Sequence, residues 1–242
     1  IGVIVTEHQE SFLNFKSSEV GLLYSYKLQI ADNLIMRTGM QFSYFNKNLN
    51  FEDLIFGNQI DIDNGQVIGP SGEIFDRGAN IDFLSVSAGT LIYSSDTWIG
   101  FSVHHINRPN QSFVGQESRL GRKYSIHAGH KLMFSKGKRL RTVSYQFQER
   151  SATFAVNYKS QGGFNQLDVG AQLYFQPLLI GAWYRGIPIQ SVNSISKNES
   201  IIALFGLELS RDLAFGYSYD FTVSKLAGST GGAHEFSLTL AF

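Results

Sequence analysis

The sequence predicts an all-β protein, a transmembrane antiparallel up-and-down β-barrel, on three observations. Hydrophobic residues make up 43% of the 242 residues and charged residues only 17%, below the quarter that is usual in soluble domains. The mean hydropathy is nevertheless −0.08, and the chain contains no apolar run of about 18 residues, the length a membrane-spanning helix needs. Strands that alternate lipid-facing apolar residues with interior-facing polar ones satisfy both facts.

The counts of single residue types agree with this fold and exclude several functions. The chain has 20 Phe, 11 Tyr and 24 Gly but only 4 Pro, as expected for aromatic girdles and for strands whose N–H groups are all needed in ladders. It has no Cys, so neither a disulfide framework nor a thiolate metal site is available. A formal net charge of zero offers no electrostatic footprint for nucleic acid.

The alternation is clearest near the C-terminus. Over residues 213–223 large apolar residues occupy every odd position, and Ala, Gly, Ser, Asp and Thr occupy the even ones. A period of two is typical of a strand, because a helix would scatter these residues around its circumference. A soluble sandwich would show the same pattern, so this segment alone predicts a strand and not its surroundings.

The last segment is more specific. Phe236, Leu238, Leu240 and Phe242 alternate with polar or small residues, and the sequence stops at Phe242. An amphipathic strand that ends on an aromatic residue resembles the signal by which the barrel-assembly machinery recognises outer-membrane substrates. We therefore expect these four residues to be an assembly signal.

The same alternation recurs along the whole chain. The segments that show it are, in order, 1–6, 20–28, 34–44, 99–103, 124–134, 167–175, 201–209, 213–223 and 236–242. With the intervening stretches this gives about twelve strands, each long enough to cross a tilted bilayer. Residue 1 already reads as part of a strand, so we expect one barrel domain over 1–242 whose first strands precede the chain.

Connection lengths give an independent argument. Short turns are predicted at 31–33, 94–96, 176–177 and 211–212, and longer loops at 7–18, 46–79, 107–121, 188–198 and 224–231. Short and long connections alternate, as in barrels with short periplasmic turns and long outer loops. The phase of the apolar residues breaks between 135 and 151, which leaves open a bulged long strand or an extra structured segment.

Polar residues on the non-lipid side are the candidate functional residues. Those predicted to face the barrel interior are Lys27, Arg37, Gln41, His127, Lys131, Asp168, Glu208, Asp220 and Glu235. Their charges have mixed signs, which favours ion pairs that fill the lumen over a selective pore, because unpaired charge is costly next to a low dielectric. Lys225 and Arg185 are expected near the outer rim, where they could contact a partner.

The six histidines do not predict a metal site or a catalytic site. His104 and His105 are adjacent in a strand, so their rings should point to opposite faces and be unable to chelate one ion. Ser102 and His104 share a face, but a serine nucleophile needs a third group that orients the histidine, and none is evident. We therefore expect no enzyme activity, no metal and no cofactor.

Four stretches carry a family resemblance: 103–110, 181–186, 215–226 and 231–235. With them the chain resembles the PorP/SprF family of type IX secretion system membrane proteins from Bacteroidota. Members normally begin with a signal peptide, an Asn-Pro-Ala-like stretch and two further strands, which would bring the barrel to about fourteen strands.

The resemblance implies a bacterial outer-membrane protein whose loops are exposed at the cell surface. Such a protein helps to secrete and then anchors a large adhesin, of the kind used in gliding, through the adhesin's C-terminal domain. Lipids, the barrel-assembly machinery and a periplasmic lipoprotein are the other expected partners. The loops 46–79 and 107–121 are the expected cargo surface. The alternative is a small porin or a channel for hydrophobic compounds, which would show like charges clustered at a constriction.

Overall fold

A computed structural model describes most of the chain. The described residues are 1–10, 15–49, 55, 57–61, 63–67, 69, 80–113, 116–135, 149–192, 195–210, 212–223 and 231–241, without the side chains of 187–199. By its internal contacts the chain divides into two units. The first unit comprises Ile1–Lys27, Arg37–Thr90 and Ser102–Lys123, and the second comprises Leu28–Met36, Leu91–Phe101 and Tyr124–Phe242.

Twelve strands account for most of the described residues, as the alternation predicted. They are β1 Gly2–Glu10, β2 Phe15–Ala31, β3 Leu34–Leu49, β4 Asn80–Tyr93, β5 Thr97–His104, β6 Lys123–Ser135, β7 Arg150–Gln161, β8 Phe164–Phe175, β9 Leu178–Val192, β10 Ile195–Glu208, β11 Leu213–Thr222 and β12 Ala233–Leu240. All belong to one sheet in the order β1 to β12, and the neighbours are antiparallel where their register is described. This is the strand order of an up-and-down β-barrel, and the prediction of an all-β protein is confirmed.

Most buried side chains of the strands are small or polar, with Ile81 and Phe83 on β4 as the large apolar exceptions among the described residues, and many large apolar side chains are exposed. On β2 the side chains of Val20, Leu22, Tyr24, Tyr26, Leu28 and Ile30 are all exposed, and on β6 those of Tyr124, Ile126, Leu132 and Phe134. The buried side chains include Ser43, Ser85, Ser87, Ser151, Ser200 and Asp168. A soluble sheet would bury its apolar face, so this inverted distribution is the one that lipid favours. No helix among the described residues is long and apolar enough to cross a membrane.

Two of the predicted long loops are largely strand. The β1–β2 ladder continues to the pair Glu10↔Phe15, inside the predicted loop 7–18. Similarly, β9 and β10 continue to Val192 and Ile195, inside the predicted loop 188–198. The predictions failed there because the apolar alternation fades where the residues become polar, whereas the ladder needs only backbone N–H and C=O groups.

The alternation of connection lengths also fails at one hairpin. β7 and β8 are joined by Gly162 and Gly163 alone, with φ of 58° and 87°, between the paired residues Gln161 and Phe164. Two positive φ values define the two-residue turn that matches strand twist, and glycine accepts them without strain. No connection was predicted at 162–163, where strict alternation of short and long connections would require a long loop. The stretch 135–151, where the phase of the apolar residues breaks, lies largely outside the described residues, because 136–148 are not among them.

Candidate functional site

A charged network crosses the polar side of the second unit. Asp168 on β8 stands directly opposite Asn157 on β7 and Arg185 on β9. Arg185 Nε lies 3.1 Å from Asp168 Oδ1, and Lys159 Nζ lies 3.4 Å from Asp168 Oδ2. Gln166 Nε2 donates to Asp168 Oδ1 at 2.8 Å. Two cations and several hydrogen bonds thus stabilise a carboxylate whose side chain is only 10% exposed, as a buried charge requires.

The network extends past β8 on both sides. Arg185 Nη1 lies 3.0 Å from Asp220 Oδ2 on β11, so the guanidinium reaches across β10. Its β10 partner is Ser200, a small buried residue that leaves room for this reach. On the other side, Asn157 accepts a hydrogen bond from Ser125 of β6. Side chains of β6, β7, β8, β9 and β11 therefore form one connected polar layer. Arg185, expected to be available to a partner at the rim, is committed to two carboxylates of its own chain.

Two tryptophan rings lie beside this layer, each against a glycine of a neighbouring strand. A Cβ atom on Gly129 would lie 2.2 Å from the Trp98 ring, and one on Gly170 would lie 2.1 Å from the Trp183 ring. The ring of His127 lies equally close to Gly100. Trp98, Trp183, His127, Ser125 and Asn157 help to line a cavity of about 360 Å³. Glycine at these positions lets bulky rings lie flat on the neighbouring backbone.

The remaining residues predicted to face the interior are not all brought together. Lys131 pairs with Glu149 at 2.8 Å, and Gln41 donates to Glu19 and Ser43 at 3.0 and 2.8 Å. Glu208 accepts a hydrogen bond from the Tyr174 hydroxyl, and Glu235 accepts one from Ser218 at 3.4 Å. Lys27 and Arg37 are exposed. Asp168 and Asp220 form the network described above, and an interior role for the whole set stays a prediction.

The proposed assembly signal lies on β12. Phe236, Leu238 and Leu240 are 70%, 65% and 62% exposed, all on one side of the strand. Phe242 lies outside the described residues, as does Lys225, which was expected near the outer rim. The apolar strand face is therefore present, and its role in assembly stays a prediction.

The prediction for the histidine pair is wrong. The His104 and His105 rings do not point apart, since their centroids are 6.4 Å from each other. His105 follows the end of β5 and has a φ of 57°. This left-handed conformation breaks the alternation of side chains along the strand. Even so, no group of three metal-ligating side chains occurs among the described residues.

In the first unit, residues around His105 form a second polar cluster, beside the ends of β3 and β5 and the start of β6. His105 Nδ1 lies 2.8 Å from Ser85 Oγ, and its ring contacts Phe45 edge-on at 6.2 Å. Phe45 stacks on Phe83 at 5.1 Å, and Lys47 Nζ lies 5.3 Å above the Phe83 ring. Lys47 also donates to Gln111 at 2.9 Å.

The segment after β5 is fixed to β4 by the Asn107 side chain and by one backbone hydrogen bond. Asn107 Nδ2 donates to Leu84 O at 2.8 Å, and Asn107 Oδ1 accepts from Val86 N at 3.1 Å. The amide thus occupies the place of a neighbouring strand. The backbone N–H of Ile106 also bonds Val86 O, at 2.9 Å. Part of the loop 107–121, expected to meet cargo, therefore has a defined structure, whereas most of the loop 46–79 lies outside the described residues.

Sequence reasoning missed Lys47, Glu19, Trp98 and Trp183 as members of these clusters. Lys47 fell inside the predicted loop 46–79, although β3 continues to Leu49. The two tryptophans did leave a signal. Each has the parity of the small and polar residues of its strand, Gly100 and Ser102 for Trp98 and Gly181 and Arg185 for Trp183.

A sheet of twelve antiparallel strands in chain order, with apolar side chains exposed along its strands, defines a strand-spanning membrane protein. Residues 1–240 match the family described as type IX secretion system membrane protein PorP/SprF, and the chain belongs to that family. The resemblance seen in the sequence is thereby confirmed. This is a family of secretion-system membrane proteins and not of enzymes. Comparison with curated proteins gives no match.

Proposed function

We propose that this barrel lies in the bacterial outer membrane, where it helps to secrete a large surface adhesin and then anchors it through the adhesin's C-terminal domain. The observation that carries the proposal is membership of the PorP/SprF family over residues 1–240, which gives the chain a role in type IX secretion. The segment 105–110 is held to β4 by Asn107. A loop that is fixed in this way supports a role in recognising a partner.

The polar network of the second unit supports anchoring over free passage of solutes. A porin constriction carries charges of one sign with water between them. Here Lys159, Asp168, Arg185 and Asp220 neutralise one another through direct contacts. We therefore expect the purified protein to conduct no ions in planar bilayers. Steady single-channel currents would instead favour the porin alternative.

Site-specific crosslinking in native outer membranes tests the anchoring role. A photoreactive residue at Arg108, exposed in the loop after β5, should capture a large secreted protein through its C-terminal domain. The matched control is Ser95, exposed in the turn between β4 and β5 at the opposite end of the same strand. It should capture no secreted cargo, and a periplasmic lipoprotein crosslinked there would identify the accessory partner. Recovery of no secreted protein from Arg108 would reject the anchoring role.

An enzymatic role has one structural candidate, which the same protein can test. Ser102 Oγ lies 3.3 Å from His104 Nε2, as a nucleophile and its base would. Among the described contacts, no carboxylate is hydrogen-bonded to the His104 ring to orient it. We expect no lipid hydrolysis by the purified barrel, and no difference between the wild type and His104→Ala. Hydrolysis lost in that variant would contradict the non-enzymatic role.

A further inference from the structure

Four basic residues lie at or next to strand ends in the first unit. Lys47 is near the end of β3, His104 ends β5, His105 follows it, and Lys123 begins β6. We call these residues the basic cluster. In an antiparallel sheet β3 and β5 run in one direction and β6 in the other. The ends of β3 and β5 and the start of β6 therefore lie along the same edge. Lys47, Phe83, Phe45 and His105 form a continuous series of contacts. The His104 and His105 ring centroids lie 6.4 Å apart, and the charge of Lys123 acts on both histidine rings.

The two lysines of the cluster have no acidic partner among the described residues. Every ion pair of the described chain joins other side chains, and neither Lys47 nor Lys123 takes part in one. Lys47 is half-buried and is held by an amide oxygen and an aromatic face. These contacts orient an ammonium group without neutralising it. A partly desolvated cation without a counter-charge is unfavourable, so it attracts an anion.

The electrostatic balance at the cluster is positive. Burial, and then the charges of His104, Lys123 and Lys47, lower the pKa of His105, and Glu19 alone acts in the opposite sense. Glu19 already accepts a hydrogen bond from Gln41 at 3.0 Å. At neutral pH His105 is therefore uncharged, and the charged side chains that act on its ring are the two lysines and Glu19. Counted over the described residues, these side chains leave an excess of one positive charge, which fits a single monovalent anion.

The cluster is also preorganised. His105 is held by Ser85 on one side and by the ring of Phe45 on another. The backbone on its C-terminal side is fixed to β4 through Asn107. A binding group that is already in place loses little conformational entropy when a ligand arrives. The stacked rings of Phe45 and Phe83 add an apolar surface beside the charges.

We propose that the basic cluster binds a carboxylate group of the cargo's C-terminal domain. Lys47 and Lys123 are the charged donors, and the stacked rings of Phe45 and Phe83 lie beside the carbon atom that bears the carboxylate. The proposal rests on the proposed function for the identity of the partner. The chemistry of the site, a preference for a carboxylate next to an apolar group, can be tested without that partner.

Benzoate and benzamide are the direct probes, because they have the same shape and differ in charge. The full-length barrel, with its histidine rings isotopically labelled, is titrated with each in lipid nanodiscs and followed by NMR. Benzoate should shift the His105 resonance of the wild type and of Lys47→Arg, and should do so much less in Lys47→Gln and Lys123→Gln.

The matched control is Arg119→Gln, since Arg119 is exposed and already paired with Glu117 at 2.6 Å. It should behave as the wild type. Equal shifts with benzamide, or no shift with benzoate, would overturn the proposal whatever the crosslinking shows.

The cargo domain that crosslinks at Arg108 then provides the biological ligand. Its affinity should fall about tenfold in Lys47→Gln, the effect of about 1.4 kcal/mol, and should stay at the wild-type value in Arg119→Gln. Loss of binding by a domain with an amidated C-terminus identifies the chain-terminal carboxylate. Loss only after neutralisation of acidic side chains identifies one of those. Binding by the wild type that is equally tight in Lys47→Gln would overturn this inference and leave the anchoring role standing.

Discussion

The two polar clusters differ in how their charges are neutralised. In the second unit Asp168 and Asp220 bind Lys159 and Arg185 directly, and amide groups occupy the remaining positions. In the first unit Lys47 and Lys123 meet no carboxylate among the described residues, and Lys47 rests on an amide and an aromatic ring. A fully paired network stabilises the chain that contains it, whereas an unpaired one is left to be completed by a ligand. The first should therefore respond to mutation through stability and the second through binding.

Neutralising Asp168 should have the largest effect on stability. Asp168→Asn keeps the shape of the side chain but leaves Arg185 and Lys159 near an uncharged group. Both cations are about one-third exposed, so the loss of folding free energy should be about 3 kcal/mol, the low end for breaking a buried pair. Urea unfolding in lipid vesicles, followed by tryptophan fluorescence, measures it.

The matched control is Glu7→Gln, which breaks the pair with Lys16. That pair is exposed at both ends, with side-chain exposures of 57% and 50%, and exposed pairs contribute little. If Asp168→Asn were as mild as Glu7→Gln, the contrast between a structural and a recognition cluster would fail.

A methyl group on Gly170 should destabilise the same layer by a smaller amount. The new Cβ atom would lie 2.1 Å from Cδ2 of Trp183 and 2.5 Å from Cγ. Cγ is the ring atom that is bonded to the Cβ atom of the tryptophan. The ring must therefore move as a whole, and overpacking of this kind costs about 2 kcal/mol. The emission of Trp183, measured in a Trp98→Phe background, should shift as the ring leaves its position.

Gly2→Ala is the control for glycine replacement in a strand, because its nearest neighbour would be at 3.8 Å, an ordinary contact. It should change stability by much less. An unchanged Trp183 emission in Gly170→Ala would show that the close contact is relieved without moving the ring.

Alternation in the sequence predicts the face of a strand on which a residue lies, but not the residues that its side chain contacts. Alternation placed Gln41, Asp168 and Asp220 on the polar side of their strands, because parity alone fixes a face once a strand is assigned. It could not show that Arg185 reaches over β10 to Asp220, since that contact depends on the register of three strands and on the small size of Ser200.

Local conformation set the other limit of the prediction. The His105 ring lies beside His104 because one residue has a positive φ, and no spacing rule reveals that in a non-glycine residue. Lys47 was assigned to a loop because β3 continues through Asn46, Lys47 and Asn48 without apolar alternation. Part of the basic cluster therefore lies on a strand that continues beyond its apolar segment, and the composition of the chain does not predict such an extension.

The pH dependence of stability should show the smallest effect and the one most specific to the first unit. Burial and the neighbouring charges hold the folded-state pKa of His105 below its ordinary value of 6.5. Above pH 6.5 the ring is neutral in both folded and unfolded chains and adds no pH dependence. As the pH falls below 6.5, the unfolded chain takes up the proton first, so the folded protein loses stability until the pH passes the lowered pKa.

His105→Gln should therefore lose less stability than the wild type between about pH 7.5 and about pH 5.5, as read from urea unfolding. His130→Gln, which replaces an exposed ring on β6, is the matched control for the removal of a histidine ring. An identical slope in His105→Gln would mean that neither burial nor the neighbouring charges lower the pKa of this ring. The positive balance inferred for the basic cluster would then lose that support. A reduced slope would show that burial and the neighbouring positive charges hold the pKa of His105 below its ordinary value in the folded protein.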